Sequence, residues 1–160
     1  MRSPRRYARI KAFQILFQMS SNEQMTLQQA LYYAVGGLSF DEELENRSIE
    51  EWIAEKLSAS PKIAEDCLNN IMALTQGTLE NKDEIDAIIR QNLKQWRLER
   101  LDLVTLNLLR LGTFELTHDK DTSANIIMNE IIEMAKMFSD EQMSKFINGV
   151  LQGVVDGQRA

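Results

Sequence analysis

The chain has 160 residues, of which 44% are hydrophobic and 26% are charged, and these values are typical of a globular protein. Its apolar runs are too short for a transmembrane helix, so no membrane association is expected. One histidine and one cysteine cannot build a four-ligand zinc site, and no phosphate-binding loop or dinucleotide fingerprint is present. The lone Cys67 suits a reducing compartment. The sequence therefore predicts a cytoplasmic protein that is not an enzyme, with no catalytic residue, metal or cofactor.

The charge is distributed unevenly along the chain. The net charge is -6, but residues 1–20 contain five basic side chains and no acid, whereas residues 21–92 contain fourteen acids and five bases. A basic arm on an acidic body is typical of a local anion site, often for RNA or DNA. A solvated basic start of a helix is the alternative, although the helix dipole favours acids at that end.

The first predicted element is an arginine-rich helix. A serine and a proline at residues 3–4 predict an N-cap and a first turn, followed by a helix to about Met19. Arg5, Arg6 and Arg9 fall on the N-terminal continuation of its apolar stripe. Neighbouring helices are therefore expected to complete an anion site around them.

Helical periodicity continues to the end of the chain, and no segment alternates with period two. A second helix is expected to end at the glycine pair 36–37, before an acidic loop from Asp41 to Glu45. The spacing of Asn81 and Glu84 predicts a capping box, and the Leu-rich segment 98–116 predicts a largely buried helix. Further helices are expected to begin near Ser48, Ser60, Ser123 and Ser139. The pattern predicts an all-α protein, a compact bundle of about seven helices.

Three segments together resemble the NusB family of transcription antitermination factors. The first is the arginine-rich run RRYAR at residues 5–9, and the second is WRLERLDLVTLNLLRLGTFEL at residues 96–116. The third is MNEIIEMAK at residues 128–136, followed by KFINGVL at residues 145–151. Their order and spacing extend over nearly the full chain.

The resemblance implies a fold and a function. The fold would be a single domain over residues 1–160 with two side-by-side helical lobes, at about 1–80 and 81–160. The function would be non-catalytic binding of the boxA RNA of ribosomal RNA leader transcripts, together with NusE, a small-subunit ribosomal protein. The pair would join the elongation complex of RNA polymerase and other Nus factors, and help it resist Rho-dependent termination.

The resemblance also implies RNA contacts on the first and last helices. The residues are Arg2, Arg5, Arg6, Arg9, Lys145 and Phe146. Among them, Arg2 is an extrapolation from charge. The helical period that Phe146 shares with Ile147 and Val150 favours the core over stacking on RNA.

Two positions are candidate contacts to NusE. Phe17 matches an aromatic residue of the family, although core packing is its simpler interpretation. Thr105 stands where the family often has an acidic residue and is expected to face NusE. Asn129 and Asn148, inside helices, are expected to be buried hydrogen-bonding ties, with RNA contact as the alternative. No role is expected for Trp96, or for the lone histidine.

Alternatives of other classes remain. One is a self-associating module, a homodimer whose contact partly covers the arginine face. Another is an RNA-binding accessory domain related to rRNA cytosine methyltransferases, which we expect to be wrong because the chain has no room for a methyl-donor domain. A plain helical scaffold is disfavoured by the charge asymmetry.

Overall fold

The computed structural model describes residues 3–36 and 47–158, and its regular secondary structure in these ranges is entirely helical. The helices are α1 (Pro4–Ser21), α2 (Leu27–Gly36), α3 (Ile49–Leu57), α4 (Pro61–Glu80), α5 (Lys82–Gln91), a 3-10 helix (Leu98–Arg100), α6 (Leu103–His118), α7 (Ala124–Phe138) and α8 (Glu141–Gln158). The all-α prediction is confirmed, with eight α-helices in these ranges where about seven were expected. None of these helices is long and apolar enough to span a membrane. The predicted acidic loop from Asp41 to Glu45 lies outside the described residues.

The chain forms two compact units, Met1–Thr75 and Gln76–Ala160. In the first, α2 packs against α1 and α3, and their apolar faces form a core with Cys67 and Ile71 of α4. In the second, α6 packs against α5, α7 and α8. The approach of α6 to α7 and α8 is close, because a Cβ on Gly112 would lie 3.2 Å from side-chain carbons of both partners.

Short polar residues begin most helices where the sequence predicts. Ser3 Oγ accepts the backbone N–H three residues further on at 3.3 Å, and Ser48, Ser60 and Ser123 accept the equivalent N–H at 3.1, 3.2 and 3.3 Å. The last helix begins later than predicted, after Asp140. The Oδ1 atom of Asp140 accepts the backbone N–H of Met143 at 2.8 Å. Each bond satisfies an N–H that the helix itself leaves unpaired.

Asn81 does not cap α5, which corrects the predicted capping box. Its side chain makes no bond to the start of that helix. Instead, Nδ2 donates to the carbonyl of Gly77 at 2.8 Å, so Asn81 closes the end of α4. Gly77 lies inside α4, where a Cβ would be only 2.2 Å from Cζ of Phe114. The glycine therefore permits close packing and does not end the helix.

Trp96 lies between α5, which ends at Gln91, and α6, which begins later than predicted, at Leu103. α5 ends where Asn92 Nδ2 donates to the carbonyl of Ile88 at 2.9 Å. α6 begins only after Asp102, whose Oδ1 accepts the N–H three residues on at 2.8 Å. Trp96 therefore lies in the irregular segment between them and belongs to no helix.

Candidate nucleic-acid interface

The arginines of α1 differ in their exposure. Arg5 and Arg6 are exposed at the start of the helix, whereas Arg9 is only 7% exposed. Arg6 and Arg9 also interact with other groups of the protein. The sequence pattern placed all three beside the apolar stripe, and the structure buries the one furthest along the helix. Arg2 lies outside the described residues.

Arg5 lines a surface groove of about 540 Å³ at the start of α1. The groove also contains Asp66, whose Oδ1 lies 3.1 Å from Lys62 Nζ. This hydrogen bond is the main reason that the pKa of Lys62 lies above its ordinary value. The carboxylate is thus already paired with a cation, which reduces its repulsion of an anion bound at Arg5.

Cys67 also lines this groove, and its thiol is protonated and unreactive. Burial raises the pKa of Cys67 to about 11, and its Sγ donates to the carbonyl of Pro4 at 3.5 Å. Nucleophilic attack and metal binding need the thiolate, which this pKa disfavours at neutral pH. Across the two described ranges, no three His, Cys, Asp or Glu side chains are placed to hold a metal ion.

Lys145 and Phe146 lie in the second unit, at the first turns of α8. Lys145 is exposed, and Phe146 is half-buried. Both line a groove of about 420 Å³ together with Trp96 and Lys94 of the segment that follows α5. The predicted core position of Phe146 is therefore only partly right, because its neighbours Ile147 and Val150 fill the core at 0% and 4% exposure.

Trp96, for which the sequence predicts no role, lies at the surface beside these residues. Its side chain is 58% exposed, and it lines both the groove beside Phe146 and a second groove, of about 540 Å³, that contains Arg97 and Arg100. The available signal was local: the tryptophan lies between Lys94 and Arg97, and aromatic residues interleaved with cations are typical of nucleic-acid surfaces.

The two candidate contacts to a protein partner have local roles. Phe17 is half-buried, and its ring centroid lies 6.3 Å from that of Phe13, which is a packing contact within α1. Thr105 is 0% exposed, and its hydroxyl donates to Asp102 Oδ2 at 3.0 Å. Its side chain is thus enclosed at the N-cap of α6 rather than presented at the surface. A NusE contact at either position stays a prediction.

Asn129 and Asn148 are both exposed, so the expectation that they are buried ties between helices is wrong. Asn129 lies on α7 and Asn148 on α8, each on the face of its helix that points to solvent. The low helix propensity of Asn indicated a special role, but propensity carries no information on which face a helix buries.

Comparison with known proteins places the chain in a family. The model of the NusB family matches residues 6–156. The chain is 40% identical over 151 residues to transcription antitermination protein NusB of Listeria welshimeri, with 94% of each chain covered. NusB of T. maritima superposes with a TM-score of 0.73 and 31% identity, covering 100% of this chain and 96% of that one. A chain from the crystal structure of antitermination factors NusB and NusE in complex with dsRNA has a TM-score of 0.69 and 25% identity, covering 98% and 99%. Since both sequence and fold agree over almost the whole length, the chain belongs to the NusB family.

Proposed function

We propose that the protein is a transcription antitermination factor that binds boxA RNA of ribosomal RNA leader transcripts together with NusE. The observation that carries the proposal is its likeness, over 94% of the chain, to a relative named transcription antitermination protein NusB. The structural likeness to a chain from a complex of NusB, NusE and double-stranded RNA supports both partners. In this role the protein is cytoplasmic and joins RNA polymerase and other Nus factors without a catalytic step or a cofactor.

The exposed arginines of α1 support RNA binding. Guanidinium groups contact phosphates in a bidentate manner and stack on exposed bases, and single-stranded RNA offers both. Arg5 and Arg6 project from the first turn of α1 and are exposed. Arg9 is included by the family resemblance, but its 7% exposure leaves little of its side chain for a phosphate. Arg2 is included from charge alone.

Lys145 and Phe146 supply the second part of the proposed contact. The exposed ammonium of Lys145 can pair with a phosphate, and the half-buried ring of Phe146 borders an open groove. A cation beside an aromatic ring is suited to an unpaired nucleotide, which has a charge and a flat face.

The test is a titration of boxA RNA against a scrambled RNA, with and without NusE, at two salt concentrations. We expect selective binding to boxA RNA that NusE strengthens. Four phosphate contacts would give a log–log salt slope near -3, from about -0.7 per contact. Equally weak, salt-sensitive binding to both RNAs would contradict the proposal.

The arginine site is tested by the double substitution Arg5→Ala with Arg6→Ala. It should weaken RNA binding and make the salt slope less steep by about 1.4, because two phosphate contacts are lost. Lys56→Ala is the matched control, since Lys56 is an exposed cation of the same unit that does not line the groove at Arg5. Circular dichroism checks that the helices persist, and an unchanged affinity of the double variant would remove these residues from the site.

A further inference from the structure

Trp96 exposes a large aromatic side chain that packing of the core does not require. Its 58% exposure compares with 54% for Ile126 and 59% for Met137, the other large hydrophobic side chains that are exposed in the described residues. Those two lie on α7, whereas Trp96 lies in the irregular segment after α5. A partly exposed aromatic ring with a charged surrounding is characteristic of a binding surface.

The surroundings of Trp96 are strongly cationic, although the whole chain has a net charge of -6. Two grooves meet at this residue. Five cationic side chains line them: Arg90, Lys94, Arg97, Arg100 and Lys145. We call these residues, with Trp96 and Phe146, the Trp96 surface.

One carboxylate opposes these charges. Glu99 Oε1 lies 3.0 Å from Arg90 Nη2. Its pKa lies below the ordinary value, first because its own backbone N–H donates to it and then because Arg90 does, so it is ionised at neutral pH. In the part of the chain that the structure describes, the other four cations form no ion pair with a carboxylate. The Trp96 surface therefore has an excess of positive charge.

The groove beside Phe146 has room for a flat group. Gly149 lies in its lining, and a Cβ there would meet no atom within 4 Å. The volume of about 420 Å³ is within the usual range of small-ligand sites. Trp96 and Phe146 thus border an open groove, because Gly149 has no side chain to fill it.

We infer that the Trp96 surface binds an unpaired stretch of RNA, with Trp96 stacking on a base while Lys94 and Lys145 contact phosphates. The inference rests on the proposed RNA-binding function and extends it to a residue outside the arginine-rich helix. Single-stranded RNA is favoured over an acidic peptide because it offers negative charge and flat rings at every residue. Bases in a duplex are already stacked on both faces, so the stretch is unpaired.

Tryptophan fluorescence gives a direct readout. The chain has two tryptophans, and Trp52→Phe leaves Trp96 as the single one. Trp52 Nε1 is buried and, among the described residues, has no hydrogen-bond partner, so the substitution leaves no acceptor unpaired. Titration with boxA RNA, and separately with a short oligouridine, should quench the emission of Trp96 as a base stacks on it. The quenching should follow the same binding curve as an independent measure of affinity.

Affinity measurements on substitutions complete the test. Trp96→Ala should weaken binding of both RNAs roughly 10-fold, which corresponds to about 1.4 kcal/mol and lies within the cost of losing one base–aromatic stack. Trp96→Phe should restore most of the affinity because it keeps a ring. Met137→Ala is the matched control, because Met137 is equally exposed but lines neither groove, and this variant should bind like the unsubstituted protein.

The outcomes separate the inference from the proposed function. If the unsubstituted protein does not prefer boxA RNA to a scrambled RNA, the proposed function is overturned. Quenching of the Trp96 emission by oligouridine would still support stacking in that case. Selective binding that Trp96→Ala leaves unchanged, with no quenching, would overturn the inference alone. If Trp96→Ala weakens binding of NusE but not of RNA, the surface binds protein, and the inference is likewise overturned.

Discussion

Asp86 and Arg110 join α5 to α6 by a buried ion pair, and removing one partner should strongly destabilise the second unit. Arg110 Nε and Nη2 donate to the two carboxylate oxygens of Asp86 at 2.9 and 3.0 Å. Their side chains are only 12% and 8% exposed. Asp86→Ala leaves the guanidinium buried without its counter-charge, which typically costs about 3–5 kcal/mol. Since some water reaches Arg110, we expect about 3 kcal/mol.

Urea denaturation followed by circular dichroism measures this loss. With a denaturant slope of about 2 kcal/mol/M, the unfolding midpoint should fall by about 1.5 M. Lys136→Ala is the control, because Lys136 pairs with Glu133 at 3.6 Å with both side chains more than half exposed. Exposed pairs contribute little to stability, so the midpoint of this variant should be unchanged.

A double substitution distinguishes the pair from simple loss of packing. Asp86→Leu with Arg110→Leu removes both charges, and replacing a whole buried pair by apolar groups is often nearly neutral. The double variant should therefore be much more stable than the summed losses of Asp86→Leu alone and Arg110→Leu alone predict. Additive losses, with a coupling below about 0.5 kcal/mol, would refute the assignment of a coupled buried pair.

Two further predictions concern buried polar groups. Asp102→Ala removes the acceptor of both the N–H and the hydroxyl of Thr105. It should lower the free energy of unfolding, measured by urea denaturation, by about 2 kcal/mol. Adding Thr105→Val should cost little more, and a second loss of equal size would contradict this cap. For Cys67, burial raises the pKa from 9.0 to about 11, so at pH 8 the thiolate fraction is about 100-fold lower than in the unfolded chain. A thiol reagent should modify the native protein at least that much more slowly than the urea-unfolded protein, and equal rates would contradict the burial. Because the folded-state pKa is the higher one, the contribution of Cys67 to the free energy of unfolding should be constant below about pH 9 and fall as the pH rises through 11.

Local sequence determined most of the helices. The caps at Ser3, Ser48 and Ser123 could be predicted because each depends on a bond that spans only three residues. The apolar period then marked which helices have a face to bury. Asn81 shows the limit of such reasoning, because the same side chain can cap the following helix or close the preceding one, and the structure has the second.

Part of the candidate site could also be predicted. Arg5 and Arg6 were identified from charge and family resemblance, and they are exposed. The burial of Arg9 and of Thr105, at 7% and 0% exposure, could not be predicted, because periodicity gives the side of a helix but not how far a neighbour extends along it. The exposure of Asn129 was missed because the prediction rested on helix propensity, which carries no information on which face a helix buries.

The sequence by itself determined the helical class, most helix starts and the family of this protein, since each of these depends on local bonds, on periodicity or on ordered motifs. Only the tertiary structure decided which distant residues meet. Lys145 and Phe146 of α8 line one groove with Lys94 and Trp96, about fifty residues earlier in the chain. That neighbourhood depends on where α5 ends and on how α8 packs against α5 and α6. Such packing is a property of apolar faces brought together from separate segments, and no local pattern contains it.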